Sequence, residues 1–388
     1  MTEKNSCPSC SSSSIKIFYE VANVPVHSVL LLETKEKAIN YPKKDIKLGF
    51  CQKCGFIYNT VFDPKVHEYS SKYEATQSFS PTFNTFARSL VNNLIKRYDL
   101  HNKDMIEIGC GNGEFLTLLC ELGNNRGIGF DPVFQEDRSS SKKNISFIKD
   151  FYSKKYSNYK ADFICCKMTL EHISNVFEFV STVRKSIGNK NTIVFFQIPE
   201  VRRILREIAF WDIYYEHCSY FSLGSLARLF RKCNFDILDL WTDYDDQYLM
   251  ITAKPGSGNS TLAHENDIEA LRKDVTYFAE NSHKIINKWK QKIQDLKSQK
   301  KRIVVWGSSS KGVAFLTTLN IQDEIEYVVD INPHKKGYYM AGAGQKIVTP
   351  DFLKDYKPDV VILMNPIYKE EIKTMLNKID LNPEIITV

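Results

Sequence analysis

No stretch of this 388-residue chain stays apolar for longer than a strand. The longest runs, such as Ile303-Val304-Val305-Trp306 and Val360-Val361-Ile362-Leu363-Met364, fall far short of the roughly 20 residues that a membrane-spanning helix needs. Met1-Thr2-Glu3-Lys4 is polar and leads into no apolar signal segment, which sets the expectation of a cytoplasmic protein. Charge of one sign is scarce too: 52 Lys and Arg against 46 Asp and Glu leave +6. That surplus is dispersed, and its densest cluster, Lys300-Lys301-Arg302, reads as cations at the C-terminal end of a helix dipole. No basic, aromatic-interleaved stripe calls for nucleic acid, and nothing calls for a membrane partner. Tandem repeats are absent. Proline and glycine are missing from Thr261 to Trp306, which leaves room for one uninterrupted helix.

What remains is the balance of a globular protein, 43% hydrophobic and 25% charged, in a chain long enough for two or three domains. Four segments follow from the patterning. Residues 1–73 hold two CxxC pairs. Residues 74–255 alternate strand-like runs (Met105-Ile108, Gly127-Asp131, Ile145-Ile148, Phe163-Lys167, Thr192-Gln197, Ile237-Thr242, Gln247-Lys254) with helical ones in the βαβ manner. After the turn-rich break Pro255-Gly256-Ser257-Gly258-Asn259-Ser260, apolar residues recur at helical spacing from Ile268 to Leu296, predicting a long linking helix over 262–300. Residues 301–388 restart the α/β pattern with strands at Ile303-Trp306, Tyr327-Asp330 and Val360-Met364. The fold class is therefore α/β: two Rossmann-like units, a small N-terminal unit and a long helix between.

Ten cysteines in a chain without a secretory signal argue against a disulfide framework. Cys7-Pro8-Ser9-Cys10 and Cys51-Gln52-Lys53-Cys54, forty residues apart, can form two knuckles that meet as a closed four-thiolate zinc site, structural because no open ligand position is evident. Cys110, Cys120, Cys165, Cys166, Cys218 and Cys233 read as small buried apolar residues.

The strongest chemical signal is Ile106-Glu107-Ile108-Gly109-Cys110-Gly111-Asn112-Gly113-Glu114-Phe115, a strand running into a GxGxG turn and then a helix, where missing Cβ atoms let a ligand approach the backbone. Asp131 ends the next strand, placed to accept from both hydroxyls of a ribose. Glu107 and the GxGxG form favour S-adenosylmethionine over a dinucleotide, since the methionine half carries no pyrophosphate. Asp150 and Phe151, after the third strand, suit an adenine amino group and ring. A further cluster, Trp211 to Ser222, gathers Tyr214, Glu216 and His217, with His217 a candidate general base and Tyr214 a donor to a developing oxyanion. His172 follows the fourth strand, where carboxyl ends of a parallel sheet deliver side chains to a cleft. In the turn Gly307-Ser308-Ser309-Ser310-Lys311-Gly312, Ser308, Ser309 and Lys311 suit a phosphate.

In their order along the chain these motifs resemble the three-part sugar C-methyltransferases, which join a zinc-binding unit, a class I S-adenosylmethionine-dependent methyltransferase domain and a Rossmann-like C-terminal domain. The resemblance implies an acceptor that is a nucleotide-linked keto-deoxysugar. It implies His217 as the base removing the proton beside the ketone, and Tyr214, Glu216 and His172 as groups that orient the substrate or stabilise the enolate. Two runs depart from the family: Tyr-His-Glu-His reads Tyr214-Tyr215-Glu216-His217, and Gly-Ala-x-Ala-Lys-Gly reads Gly307 to Gly312 as quoted. Methylation at oxygen or nitrogen with the same cofactor, and a non-catalytic module that binds zinc and S-adenosylmethionine, stay open at this point.

Overall fold

The computed structural model describes residues 6–66, 73–136, 143–258 and 261–388. Met1–Lys4, and Asn259-Ser260 at the end of the turn-rich break, lie outside them. Among the described residues no helix is long and apolar enough to cross a membrane.

The first sheet is an antiparallel meander of β1 (Ile15–Pro25), β2 (Lys43–Cys51) and β3 (Ile57–Asn59). β1 and β2 pair from Ile15 opposite Cys51 to Pro25 opposite Lys43, which places one CxxC pair beside the other.

The second sheet is built from β4 (Asp104–Ile108), β5 (Arg126–Phe130), β6 (Ile145–Ile148), β7 (Phe163–Lys167) and β8 (Ile193–Pro199). The two-residue β9 (Ser219–Tyr220) leaves this succession and pairs with β3, adding a fourth strand to the first sheet. β10 (Phe235–Asp243) and β11 (Tyr248–Pro255) return to the second sheet, whose spatial order is β6-β5-β4-β7-β8-β11-β10. Only β11 runs against its neighbours. β4 is the switch point, with β5 on one side and β7 on the other, and the crevice beyond its carboxyl end is where such sheets bind ligands.

The third sheet, β12 (Ile303–Trp306), β13 (Tyr327–Val329), β14 (Lys346–Val348), β15 (Val360–Leu363) and β16 (Glu384–Thr387), is wholly parallel in the order β14-β13-β12-β15-β16. Its switch point is β12.

The long helix spans Ile268–Ser298, six residues shorter at its start than the periodicity predicts. Asp267 is drawn away by the Arg228 guanidinium at 2.7 Å and the Gly224 amide at 2.8 Å. Residues Ala263–Glu265 form a separate 3-10 turn pinned by Arg231 to the Glu265 carboxylate. Leu271, Val275, Phe278, Ile286 and Ile293 of the helix sit in a single core with Tyr19 of β1, with Val201, Ile204 and Leu205, and with Val313, Leu316 and Leu319 beside the third sheet. This core fixes the first sheet against the third, and a second core packs Phe56 and Tyr58 beside Ile108, Phe196 and Ile251 of the second sheet, which lets all three contribute to one cleft.

Phe278 is fully buried and meets the Tyr19 ring edge-on at 5.1 Å. Phe278→Ala is expected to cost about 3–5 kcal/mol in denaturant unfolding. Hydrogen exchange should accelerate in β1 ahead of the second sheet, because the lost ring is the one β1 packs on.

Candidate active site

The carboxyl ends of β4 and β12 open onto the same cavity, of about 860 Å³. Gly109, Gly111, Asp131, Asp150 and Phe151 line it from the second sheet, Gly307, Ser309 and Lys311 from the third, and His172, Tyr214 and His217 lie between.

On the side of the second sheet the glycines divide their roles. A Cβ on Gly109 would come within 2.0 Å of the Thr169 hydroxyl, whereas one on Gly111 would meet nothing within 4 Å. The backbone face at Gly111 is thus open for a ligand to lie against. Gly113 is absent from the cavity wall, and a Cβ there would collide with the Phe147 ring at 2.3 Å; it serves packing. Asp131 accepts from the Gly111 amide at 2.8 Å and the Val133 amide at 2.9 Å, which fixes its carboxyl at the rim of β5 while burial raises its pKa. Glu107 accepts from the Leu116 amide at 3.0 Å. Burial pushes it up to about 8, against the pull of Lys167. Lys167, whose ammonium lies 3.7 Å from the Phe115 ring centroid, ends the apolar run Phe163-Ile164-Cys165-Cys166, and that position was its signal in the sequence. Asp150 is held ionised below the usual carboxylate range by the Tyr156 hydroxyl and by Lys155. Phe151 stands 56% exposed at the rim.

Between the sheets, a tight turn brings the His217 amide to 3.2 Å from the Tyr214 carbonyl. The Tyr214 hydroxyl, kept protonated by burial, sits 3.0 Å from His217 Nε2, within hydrogen-bond distance. His172 Nδ1 donates to the Glu216 carbonyl at 3.0 Å, so its Nε2 carries the lone pair, and burial lowers its pKa. The two imidazoles meet edge to face at 4.9 Å. Glu171, next to His172 in the sequence and without a motif of its own, brings a carboxyl oxygen within 4.8 Å of a ring nitrogen of each.

Glu216 is turned away from the cavity. Its carboxylate takes His27 Nδ1 at 2.9 Å, the Ser28 amide at 3.2 Å and the Ser28 hydroxyl, and that hydroxyl also lies 2.7 Å from Ser310 Oγ. Burial disfavours its charge, but His27 and Ser28 outweigh burial and hold it below its ordinary range. His27 and Ser28 carry no motif, and nothing in the sequence pointed to them.

On the side of the third sheet, Ser308 is buried and spends both its amide and its hydroxyl on Asp330, so it does not face the cavity. Asp330, at the end of β13, repeats the position of Asp131 after β5, and Lys335 sits 3.1 Å from it and 2.8 Å from Ser309 Oγ. Lys311 faces the cavity already paired, at 2.8 Å from Asp212, which Arg203 also binds. Arg203 pairs with Glu207 as well, at 2.7 Å, so the two cations at this wall are balanced by two carboxylates. Ser309 precedes the helix Ser310–Leu319 with no side-chain cap, leaving its first amides available to an anion.

The four N-terminal cysteines converge, with Cys7 Sγ 3.6 Å from Cys54 Sγ and Cys10 Sγ 3.6 Å from Cys51 Sγ. A tetrahedral zinc with bonds of about 2.3 Å spaces its sulfurs by about 3.8 Å, so the donor set and its spacing fit that ion. The other six cysteines are buried.

Residues 82–240 match the methyltransferase domain family, and residues 256–383 match the C-methyltransferase C-terminal domain family. The C-methyltransferase NovU of Streptomyces niveus is 23% identical over 341 residues, covering 83% of this chain and 80% of that protein. Among solved structures, the 1,6-didemethyltoxoflavin N1-methyltransferase of Burkholderia thailandensis overlaps 48% of this chain and 93% of its own at 12% identity and a TM-score of 0.35. The magnesium protoporphyrin IX methyltransferase of Synechocystis PCC 6803 overlaps 45% and 84% at 13% identity and a TM-score of 0.35.

Removing the Glu216 carboxylate strands His27 and Ser28 in the interior, so Glu216→Ala is expected to lose about 3–5 kcal/mol of stability. Because the folded pKa of Glu216 is depressed, its contribution is fully present above the unfolded carboxyl range and is lost as pH falls through the folded value. Thermal unfolding of wild type and Glu216→Gln should therefore differ most near neutrality and converge below about pH 4.

Proposed function

We propose, for a chain that belongs to the S-adenosylmethionine-dependent C-methyltransferases, that its acceptor is a nucleotide-linked keto-deoxysugar, methylated at carbon through an enolate with His217 as base. One observation carries this reading: a single cavity is walled by the Gly109–Asp131 crevice on one side and by the Gly307–Gly312 turn with Lys311 on the other, with His172, Tyr214 and His217 between.

The division of the cavity suits a two-part reaction. Gly109, Gly111 and Asp131 would hold S-adenosylmethionine, with Asp131 on the ribose hydroxyls, Asp150 and Phe151 at the adenine, and Glu107 and Lys167 at the base of the turn. When bound, this cosubstrate supplies a methyl on a sulfonium, which a carbon centre takes only as an electron-rich nucleophile. Ser309, the Lys311 ammonium and the uncapped helix start would take the acceptor's diphosphate. The sugar would then lie across the histidines. On its arrival the Tyr214 hydroxyl would pass from His217 Nε2 to the acceptor's oxygen, and the freed Nε2 would take the proton beside the ketone. Glu216 acts one step removed: it holds the backbone whose carbonyl fixes His172 and whose next residue is His217. In-line proximity of the two reactants supplies much of the remaining rate.

The test is incubation with S-adenosylmethionine and a panel of nucleotide-linked keto-sugars in deuterated water, read by mass and NMR. A carbon-bound methyl is expected with wild type, and His217→Ala should lose at least about 100-fold in rate along with deuterium exchange at the reacting carbon. If no keto-sugar gains methyl or deuterium while S-adenosylmethionine still binds, an oxygen or nitrogen acceptor takes the place of carbon.

The cysteine cluster we assign to structural zinc. Metal analysis should find one zinc per chain, and Cys51→Ser should abolish it and lower the unfolding temperature. Retention of full stability in a metal-free wild type would sink the assignment.

A further inference from the structure

The floor of the cavity holds polar groups that the reading above leaves without work. Glu171 is 1% exposed, and neither of its carboxyl oxygens has a hydrogen-bond partner. Gln197, at the end of β8, is 0% exposed with both side-chain polar atoms equally unpaired. Both residues line the cavity. A buried, unpaired polar atom costs about 1–3 kcal/mol, and a fold keeps such groups together where a ligand completes them. What completes this pair must offer both a donor and an acceptor. A keto-sugar ring, with a carbonyl beside hydroxyls, offers both.

The chain places Glu171 deliberately. β7 ends at Lys167, Met168 turns with a left-handed φ of 48°, its amide bonded to the Gln197 carbonyl at 2.8 Å. A 3-10 turn, Leu170–His172, then follows over the fully buried Leu170. This folds Glu171 under the imidazoles rather than out toward solvent. We infer that Glu171 is a catalytic residue, its protonated carboxyl donating a hydrogen bond to the acceptor's carbonyl oxygen as that oxygen gains charge. The inference rests on the keto-sugar reading.

His217 takes the proton from carbon, the C–H pair becomes the C=C bond, and the carbonyl π pair moves onto oxygen, where the Glu171 O–H donates without transferring its proton. When carbon takes the methyl, the oxygen pair returns to C=O, the sulfur keeps the pair of the broken bond, and His217 releases its proton to water. The groups around Glu171 favour the acid form. Cys166 on β7, Tyr214 and Tyr248 are themselves kept protonated by burial, and burial holds His172 toward neutrality. Burial raises Glu171 to about 8, so it is an acid at neutral pH and ionises only above that.

The test pairs Glu171→Gln with Glu171→Leu on the full chain. S-adenosylmethionine affinity and unfolding temperature serve as folding controls. Glu171→Leu, which leaves the oxygen no donor, should lower kcat by about 100-fold to 1,000-fold with KM for S-adenosylmethionine unchanged. Glu171→Gln, which keeps a donor that cannot titrate, should stay within about tenfold of wild type and lose the fall in kcat above pH 8. Infrared difference spectra of the free protein, wild type minus Glu171→Gln, should show a protonated carboxyl at pH 7. An ionised carboxyl at pH 7, or a Glu171→Leu variant with wild-type kcat and pH profile, overturns the inference while leaving the keto-sugar reading in place. A wild type inert on every keto-sugar sinks that reading, and this role falls with it.

Discussion

The buried carboxylate of Glu216 joins three parts of the chain that are remote in sequence. It takes His27 and Ser28 just after β1, belongs itself to the loop beside His217, and reaches Ser310 of the third sheet through the Ser28 hydroxyl. An ionised carboxylate in the interior is stable only if its lone pairs are filled, and removing any one donor leaves a charge that the surroundings cannot solvate. The arrangement is thus close to all or nothing. Its effect is to set the positions of His172 and His217 relative to both parallel sheets, since the Glu216 carbonyl holds one ring and the next residue carries the other.

With that point fixed, the two α/β units present equivalent faces to each other. Each has a glycine-rich turn after its switch-point strand and an aspartate after the neighbouring strand, and in each that aspartate is bonded to an amide of the turn: Asp131 to Gly111, Asp330 to Ser308. They differ in what neutralises the acid. Asp131 has backbone amides only and keeps acceptor capacity for hydroxyls. Asp330 is closed off by Lys335 and the Ser308 hydroxyl, so the polarity of the third sheet's wall is set by Lys311, Arg203 and an uncapped helix start. The same backbone plan therefore yields one face suited to a ribose and one suited to an anion.

The extent to which this was legible in the sequence follows the range of the interactions. Gly109 to Asp131 reads directly, because strand, turn, helix and strand are consecutive and the acid's position is a local consequence. The third-sheet strand Ile303–Trp306 was read to the residue for the same reason. Gly113 shares a motif with Gly111, yet its constraint is the Phe147 ring from a strand away, a packing fact that spacing does not encode. Ser308 and Lys311 look available in the linear turn and are instead bonded to Asp330 and Asp212. The Glu216 partners lie 188 and 189 residues away, and β9 leaves its own domain to pair with β3. Only tertiary structure decides such matters, and they concern the residues nearest the chemistry.

Glu216 and Glu171 differ in what surrounds them. Both are buried carboxyls, each beside a histidine in the chain, and composition cannot tell them apart. Glu216 has His27 and Ser28, which stabilise its charge more than burial opposes it; Glu171 has no side-chain donor, and burial outweighs the pull of its own backbone amide and favours the proton. Two identical side chains are thereby separated into a fixed anion outside the cavity and a neutral acid within it. Such a separation is how a fold places acid and base functions side by side near neutral pH. A donor added beside Glu171 would merge the two states and remove the acid. The unpaired oxygens of Glu171 are therefore what its proposed task demands: a carboxyl already satisfied by the protein would have no hydrogen bond left to give to a substrate.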